Sequence, residues 1–290
     1  MQQFAPCMGR SGKRKMTAQS SMIEVRLLRR ADLASAMGLS TIAGWNQTED
    51  DWRLLLDLAP ETCFAIDADG ELVATTTLIS YGTELAWIGM VLTKPEYRGR
   101  GFARTLVTQA LEIVDSKGIT TVKLDATDQG KRLYESVGFA AEGFVERWSR
   151  PGSLKLDATP GKFPSGRFSA LDLTAFGVDR SAMLERLIQH SHVYSATDAY
   201  LFVRGGRVTT YLGPCVATDP ASARALIMST LQTHPSVSWS WDLMVNNQNA
   251  IALSKDLGFT RQRVLTRMRR GEPLRGRDDM VFAIAGFELG

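Results

Sequence analysis

The period of hydrophobic and polar positions switches repeatedly along the chain, and the switches mark its elements. Ile23–Leu28 reads as an extended run. Arg30–Ala43 carries Leu33, Met37 and Ile42 at near-helical spacing. Thr48 followed by Glu49, Asp50 and Asp51 predicts a second helix, because a threonine cap and first-turn acids suit its unpaired N–H groups and dipole. Cys63–Asp67 and Glu71–Ser80 flank Asp69-Gly70 and predict a hairpin. Leu85–Leu92 is apolar almost throughout, as in a strand buried on both faces. Phe102, Leu106, Ala110 and Val114 recur every fourth residue, predicting an amphipathic helix over Phe102–Lys117 that Gly118 ends. A strand at Thr121–Leu124, a short helix at Gln129–Val137 and a strand at Glu142–Trp148 complete this half.

The segment 151–168 holds three prolines and three glycines and reads as a linker. Beyond it the pattern predicts a strand near Ser169–Leu173, a helix at Arg180–His190 and strands at Ala199–Val203 and Arg207–Leu212. A helix at Pro220–Gln232, a strand at Val237–Leu243, a helix at Asn249–Leu257 and a strand at Gln262–Met268 follow. This order repeats that of the first half. The sequence repeats as well, since Leu133-Tyr-Glu-Ser-Val-Gly-Phe139 returns as Leu253-Ser-Lys-Asp-Leu-Gly-Phe259. Self-similarity at domain-sized separation argues a duplication. The expectation is a mixed α/β protein of two related domains, 22–150 and 151–290, each a twisted mixed sheet flanked by helices.

Composition narrows the function. With 44% hydrophobic residues in a chain of 290, two cores are possible and a disordered or collagenous chain is excluded. The net charge of +3 divides unevenly, at +4 for residues 1–21, −5 for 22–150 and +4 for 151–290, so the average is no argument for nucleic acid. Residues 1–21 lack the apolar run of a secretory signal and read as a disordered basic extension. No run approaches the ~20 apolar residues of a membrane span. Cys7, Cys63 and Cys215 lie far apart, and His190 and His192 have no acidic or thiol cluster beside them, so neither a disulfide framework nor a metal site is predicted. A cytoplasmic protein, monomeric or homodimeric, is the expectation.

The segment with chemical content is Arg98-Gly99-Arg100-Gly101-Phe102-Ala103, between a buried strand and a helix start. Unpaired N–H groups and the helix dipole attract a phosphate there, the glycines admit it closely, and Arg98, Arg100 and Arg104 add positive charge. The P-loop ending Gly-Lys-Ser/Thr is missing, and Arg104 stands where a dinucleotide fingerprint needs its third glycine.

Arg98, Gly101 and Ala103, followed at the right separation by Leu133-Tyr134 and Gly138-Phe139, resemble the two signatures of the GNAT superfamily of acetyl-CoA-dependent N-acetyltransferases. The resemblance covers about residues 22–150. It implies that Arg98–Arg104 hold the CoA pyrophosphate and that backbone groups of Met90, Val91 and Leu92 take the pantetheine arm. Gly89 is consistent with the bulge that parts the two central strands. Thr127 stands where the family often has a cofactor-side asparagine. Tyr134 is implied as the acid that protonates the leaving thiolate, and Glu84 as a candidate base. Trp45, Asn46 and Gln47 fall where the family builds its acceptor site, implying a small-molecule or peptide amine.

The second half resembles the degenerate acetyltransferase-like domain attached to some bacterial members, which implies a domain that does not bind acetyl-CoA productively but packs against the first and walls the acceptor site. Ser254 replaces Tyr134, the arginine-glycine turn is missing, Asp219 would repel a pyrophosphate, and Asn247 matches Thr127. Arg261, Arg263, Arg267 and Arg269, on alternate positions of a strand, would share one face that binds an acidic partner or pairs with the acidic first half, with a solvated face as the favoured reading. Two function classes follow: an amine acetyltransferase with one active site, or a non-catalytic acyl-CoA sensor.

Overall fold

The computed structural model describes residues 24–153 and 166–290. The expected basic extension and most of the expected linker lie outside those residues. The first half runs β1 (Val25–Leu27), α1 (Leu33–Ile42), α2 (Glu49–Leu58), β2 (Cys63–Ala68), β3 (Glu71–Tyr81), β4 (Leu85–Thr93), α3 (Phe102–Ser116), β5 (Thr121–Ala126), α4 (Asp128–Glu135) and β6 (Ala140–Arg150). The second half runs α5 (Gly166–Phe176), α6 (Ser181–Ile188), β7 (His192–Ala196), β8 (Ala199–Arg204), β9 (Thr210–Ala217), α7 (Pro220–Thr233), β10 (Trp239–Met244), α8 (Gln248–Asp256), β11 (Thr260–Gly271) and β12 (Val281–Ala283).

Local chemistry accounts for many boundaries. Thr48 Oγ1 accepts from the Asp51 N–H at 3.2 Å while the Thr48 N–H donates to Asp51 Oδ2 at 2.7 Å, a reciprocal cap that starts α2. Ser169–Leu173, expected as a strand, belongs instead to α5. Its buried positions Phe168, Asp172 and Ala175 have helical spacing, and Asp172 is buried because Arg180 meets it through two bonds of 2.8 and 2.9 Å. An inward-facing aspartate looks, in sequence, like an outward one. β9 extends past the expected Leu212 because the run continues through Gly213 and Pro214, and β7 and β12 have no counterpart in the predicted pattern.

The two expected sheets are one. Its strand order is β1-β2-β3-β4-β5-β11-β6-β10-β9-β8-β7, with β12 beside β9. Each half therefore completes its sheet with the last long strand of the other: β11 pairs antiparallel with β5, and β6 with β10. This exchange corrects the solvated-face reading of the arginines. Arg267 grips Asp125 through two bonds of 2.9 Å in a buried pair, Arg261 donates to Glu146 at 2.8 Å, Arg269 meets Glu142 at 3.0 Å and Arg270 donates to Asp115 at 3.0 Å. The excess positive charge of one half thus neutralises acids of the other. Arg263 is the exception.

One core, containing α3 and the Tyr134 ring, lies on one face of the first-half strands. On the opposite face α1, α2, α5 and α6 share a core with Ile284, Ala285 and Leu289, so the two halves have apolar interior in common.

Candidate active site

Gly99 and Gly101 take positive φ angles of 76° and 88°, and open space surrounds the place a side chain would occupy at each. The backbone thereby turns into α3 with the N–H groups of Phe102, Ala103 and Arg104 ahead of the first helical bond, from Thr105 N–H to the Gly101 carbonyl (3.0 Å). Arg98, Arg100 and Arg104 are exposed around this turn. Arg100 rests over the Tyr97 ring at 4.6 Å, and Arg104 donates to Ser136 Oγ at 2.8 Å. The turn brings together the N–H groups of the helix start, two glycines and three guanidiniums, an arrangement whose chemistry suits phosphate oxygens.

The neighbouring strands part beside it. β4 and β5 pair only from Leu85↔Thr121 to Trp87↔Lys123. Met90 and Val91 together oppose the single residue Thr76, and Met90 adopts a φ of 50°, so the bulge lies one residue beyond Gly89. Thr75 Oγ1 donates to the Met90 carbonyl at 2.9 Å and fixes the bulged peptide. Gly89 serves a different purpose, because a side chain there would meet the Glu288 Cα at 2.9 Å. Glycine lets the segment after β12 lie against β4.

A cavity opens in this split. Ile88, Gly89, Met90 and Val91 form one wall and Leu124, Asp125, Thr127 and Tyr134 the other. Thr127 caps α4, accepting from the Gly130 N–H at 3.4 Å. The Tyr134 ring sits edge-on to Phe139, 6.1 Å between centroids, and a side chain at Gly130 would strike its Cε2 at 2.9 Å. Burial raises the Tyr134 pKa above that of a free phenol, so it is protonated and its hydroxyl is a proton donor at neutral pH.

The remaining lining comes from both halves, with second-half residues that the sequence did not single out for the cavity. Trp45 and Gln47 come from the loop before α2, whereas Arg263, Leu265, Phe287 and Glu288 come from the second half. Gln47 Nε2 donates to Glu288 Oε2 at 3.0 Å, and Arg204 lies 3.6 Å from Glu288 Oε1. Burial raises the Glu288 pKa above the ordinary carboxylate value, while Arg204 pulls the other way. Gln47 Oε1 is buried without a hydrogen bond, as is Arg263 Nε. Burial and then the Arg147 cation pull the Arg263 pKa down to about 10, which leaves it charged at neutral pH.

Two expected residues stand elsewhere. Glu84 is exposed in the turn before β4, at the far end of the strand from the bulge, and does not line the cavity. Asn46 spends its amide on the loop after β8: Nδ2 donates to the Thr209 carbonyl at 2.9 Å, and Oδ1 accepts from the Val208 and Thr209 N–H groups at 2.8 and 3.0 Å. It anchors a loop and is not free to recognise an acceptor. The sequence signal that could have found Glu288 is an acid set in an otherwise apolar C-terminal run, directly after Phe287. Nothing periodic in 284–290 assigns it a side.

The matching cleft of the second half is filled by the chain itself. β9 and β10 pair only over Thr210–Leu212 and Trp239–Trp241. Beyond that, β12 pairs with Cys215 and Val216, and the Ile284 N–H donates to the Asp242 carbonyl at 3.2 Å. Asn247 Nδ2 holds the incoming segment through the Val281 carbonyl at 2.9 Å. At the head of α7 the Asp219 carboxylate accepts from the Ala221 and Ser222 N–H groups at 2.9 and 3.0 Å, so an internal anion already occupies the helix terminus. Ser254, at the position of Tyr134, returns its hydroxyl to the Ile251 carbonyl at 2.9 Å.

Comparison with known proteins agrees with this architecture. Residues 32–139 match the model of the acetyltransferase (GNAT) family, and residues 168–283 match a second model described as an acetyltransferase (GNAT) domain. An uncharacterized N-acetyltransferase of Bacillus subtilis, YitH, is 33% identical over 157 residues, which span 51% of this chain and 54% of that protein. The holothin acyltransferase of a Pseudoalteromonas species is 26% identical over 251 residues, or 79% of this chain and 84% of that one. A putative acetyltransferase of Pyrococcus horikoshii shares the fold, with a TM-score of 0.81 at 22% identity, over 97% of this chain and 100% of that chain. The chain belongs to the GNAT acetyltransferase family and carries two of its domains in tandem.

Proposed function

We propose that the protein transfers an acetyl group from acetyl-CoA to a primary amine by direct attack, at a single active site in the split between β4 and β5. The observation that carries this reading is the open cleft beside the Arg98–Ala103 turn, walled by Tyr134 on one side and Glu288 on the other. The residues fit the donor: the turn suits a pyrophosphate, and the bulge at Met90–Val91 leaves backbone groups unpaired toward β5 for an extended amide arm. Acetyl-CoA supplies the activated thioester.

Glu288 takes a proton from the incoming ammonium, with Gln47 orienting its carboxylate. The freed nitrogen bonds to the acetyl carbon as the carbon–sulfur bond breaks. Tyr134 gives its proton to the departing sulfur and recovers one from the newly bonded nitrogen. The products are an amide, CoA thiol and one released proton. A phenol suits this role because burial raises it above the ordinary ~10 and keeps it protonated until charge develops on the departing sulfur, and the proton it then gives is replaced from the newly acylated nitrogen.

Thiol release from acetyl-CoA over a panel of amines tests the reading. Tyr134→Phe is expected to lower kcat by about 10²-fold while leaving the acetyl-CoA Kd unchanged, the lower end of the acid–base range because a thiolate leaves well unaided. Binding without turnover on any amine would instead favour a sensor. The turn is tested separately: Arg98→Ala with Gly101→Asp is expected to weaken acetyl-CoA about 100-fold by calorimetry, since one charge-assisted contact is lost and a carboxylate enters the anion site. Unchanged affinity would remove the turn from the site.

A further inference from the structure

Arg263, half-buried on the cavity wall, stands apart from the buried and half-buried arginines near it. Arg147 is held by Asp242 through bonds of 2.6 and 2.7 Å, Arg267 by Asp125, and Arg204 by Asp51 and the carbonyls of Gly213 and Ala285. Arg263 has no hydrogen bond or ion pair with any described residue; its guanidinium lies 5.1 Å from the Phe287 ring centroid, on the cavity wall. A partly desolvated cation with no hydrogen-bonded partner, feeling the Asp242 and Glu288 carboxylates only from a distance, is costly unless a ligand completes it. The same cavity holds one carboxylate suited to an ammonium, Glu288, and one orphaned acceptor, Gln47 Oε1.

Resting on the transferase reading above, we infer that Arg263 is a specificity residue that selects acceptors carrying an anionic group, a carboxylate or a phosphate, in addition to the amine. The amine end meets Glu288 and Gln47, and the anion meets the guanidinium of Arg263. Trp45, Leu265 and Phe287 enclose the carbon skeleton between them. Such an acceptor is a zwitterion. Its two charges answer the Glu288 carboxylate and the Arg263 guanidinium, the Asp125 carboxylate being already held by Arg267, whereas a polyamine brings only repulsion to Arg263.

The test compares wild-type protein with Arg263→Gln and Arg263→Lys on matched acceptors. These are phenylalanine against phenylalaninamide, β-alanine against its amide, phosphoethanolamine against ethanolamine, and spermidine as a cation alone. For Arg263→Gln the kcat/KM on the anionic member of at least one pair is expected to fall about 10- to 100-fold, chiefly through KM, and at least tenfold further than on its neutral partner. Arg263→Lys restores part of the loss. Whether the carboxylate pairs or the phosphate pair respond tells which anion the site takes. Equal losses on both members of every pair, or a wild-type preference for spermidine or the neutral amines, overturn the inference and leave the transferase standing. Calorimetry of the N-acetyl products on CoA-saturated protein decides independently of turnover. Tighter binding of anionic products than of their amides, abolished in Arg263→Gln, supports the anion site; equal binding refutes it. Absence of thiol release with every amine removes the transferase reading, and the calorimetric result still decides the anion site.

Discussion

Glu288→Gln is expected to lower kcat on an alkyl amine by about 10³-fold at pH 7, because an ammonium of pKa ~10 is neutral in only about one molecule per thousand there. Glutamine preserves the volume and a contact to Gln47, so the loss reports proton removal rather than packing. The pH profile carries the sign. Burial raises the Glu288 pKa above the ordinary carboxylate value, and a base works only when deprotonated. Activity of the wild type should therefore rise with pH through that raised pKa, and the limb should vanish in Glu288→Gln. Because the folded-state value exceeds the unfolded one, the carboxyl's contribution to stability is full below the unfolded value and declines as pH rises through the folded value. An acceptor of low amine pKa should narrow the gap between the two proteins, since less of it needs deprotonation. A Glu288→Gln enzyme within threefold of wild type on an alkyl amine would assign the base elsewhere.

Arg267→Ala is expected to have the largest effect on stability. It leaves Asp125 buried beneath β11 without its cation, and breaking a buried pair in this way costs ~3–5 kcal/mol. Burial already raises the Asp125 pKa, so in the variant this carboxyl protonates instead of remaining charged. The melting temperature should fall by about 10 °C, by the usual relation between free energy and Tm for chains of this size. Replacing both partners by apolar residues of similar volume should recover most of the loss, because the pair mainly avoids an orphaned charge. Urea titration of wild type and both variants checks this; a loss under ~1 kcal/mol in the single variant would mean that the pair does not clasp the exchanged strands.

Both predictions concern contacts between the halves, and there the sequence was least legible. The local elements read well where the signal is contiguous. Asp69-Gly70, the Thr48 cap and the fourfold spacing of Phe102, Leu106, Ala110 and Val114 act over a few turns at most, so neighbouring residues carry the whole instruction. The arginine-glycine turn into α3 was legible for the same reason, since its glycines, arginines and helix start are consecutive. α5 failed because a buried aspartate imitates an exposed one until its arginine is known.

The sequence by itself determined two α/β halves, a turn suited to phosphates in the first, a tyrosine on the helix after that turn's own, and a second half stripped of both. Tertiary structure decided the rest. β11 presents the same pattern whichever strand it joins, so its insertion beside β5 had to come from three-dimensional packing and the Arg267–Asp125 pair. Gln47 and Glu288 meet from 241 residues apart, through a close approach to β4 that Gly89 permits. The Trp45–Gln47 and Phe287–Glu288 side of the cavity is therefore built where the halves touch, by long-range contacts whose partners no local period can announce.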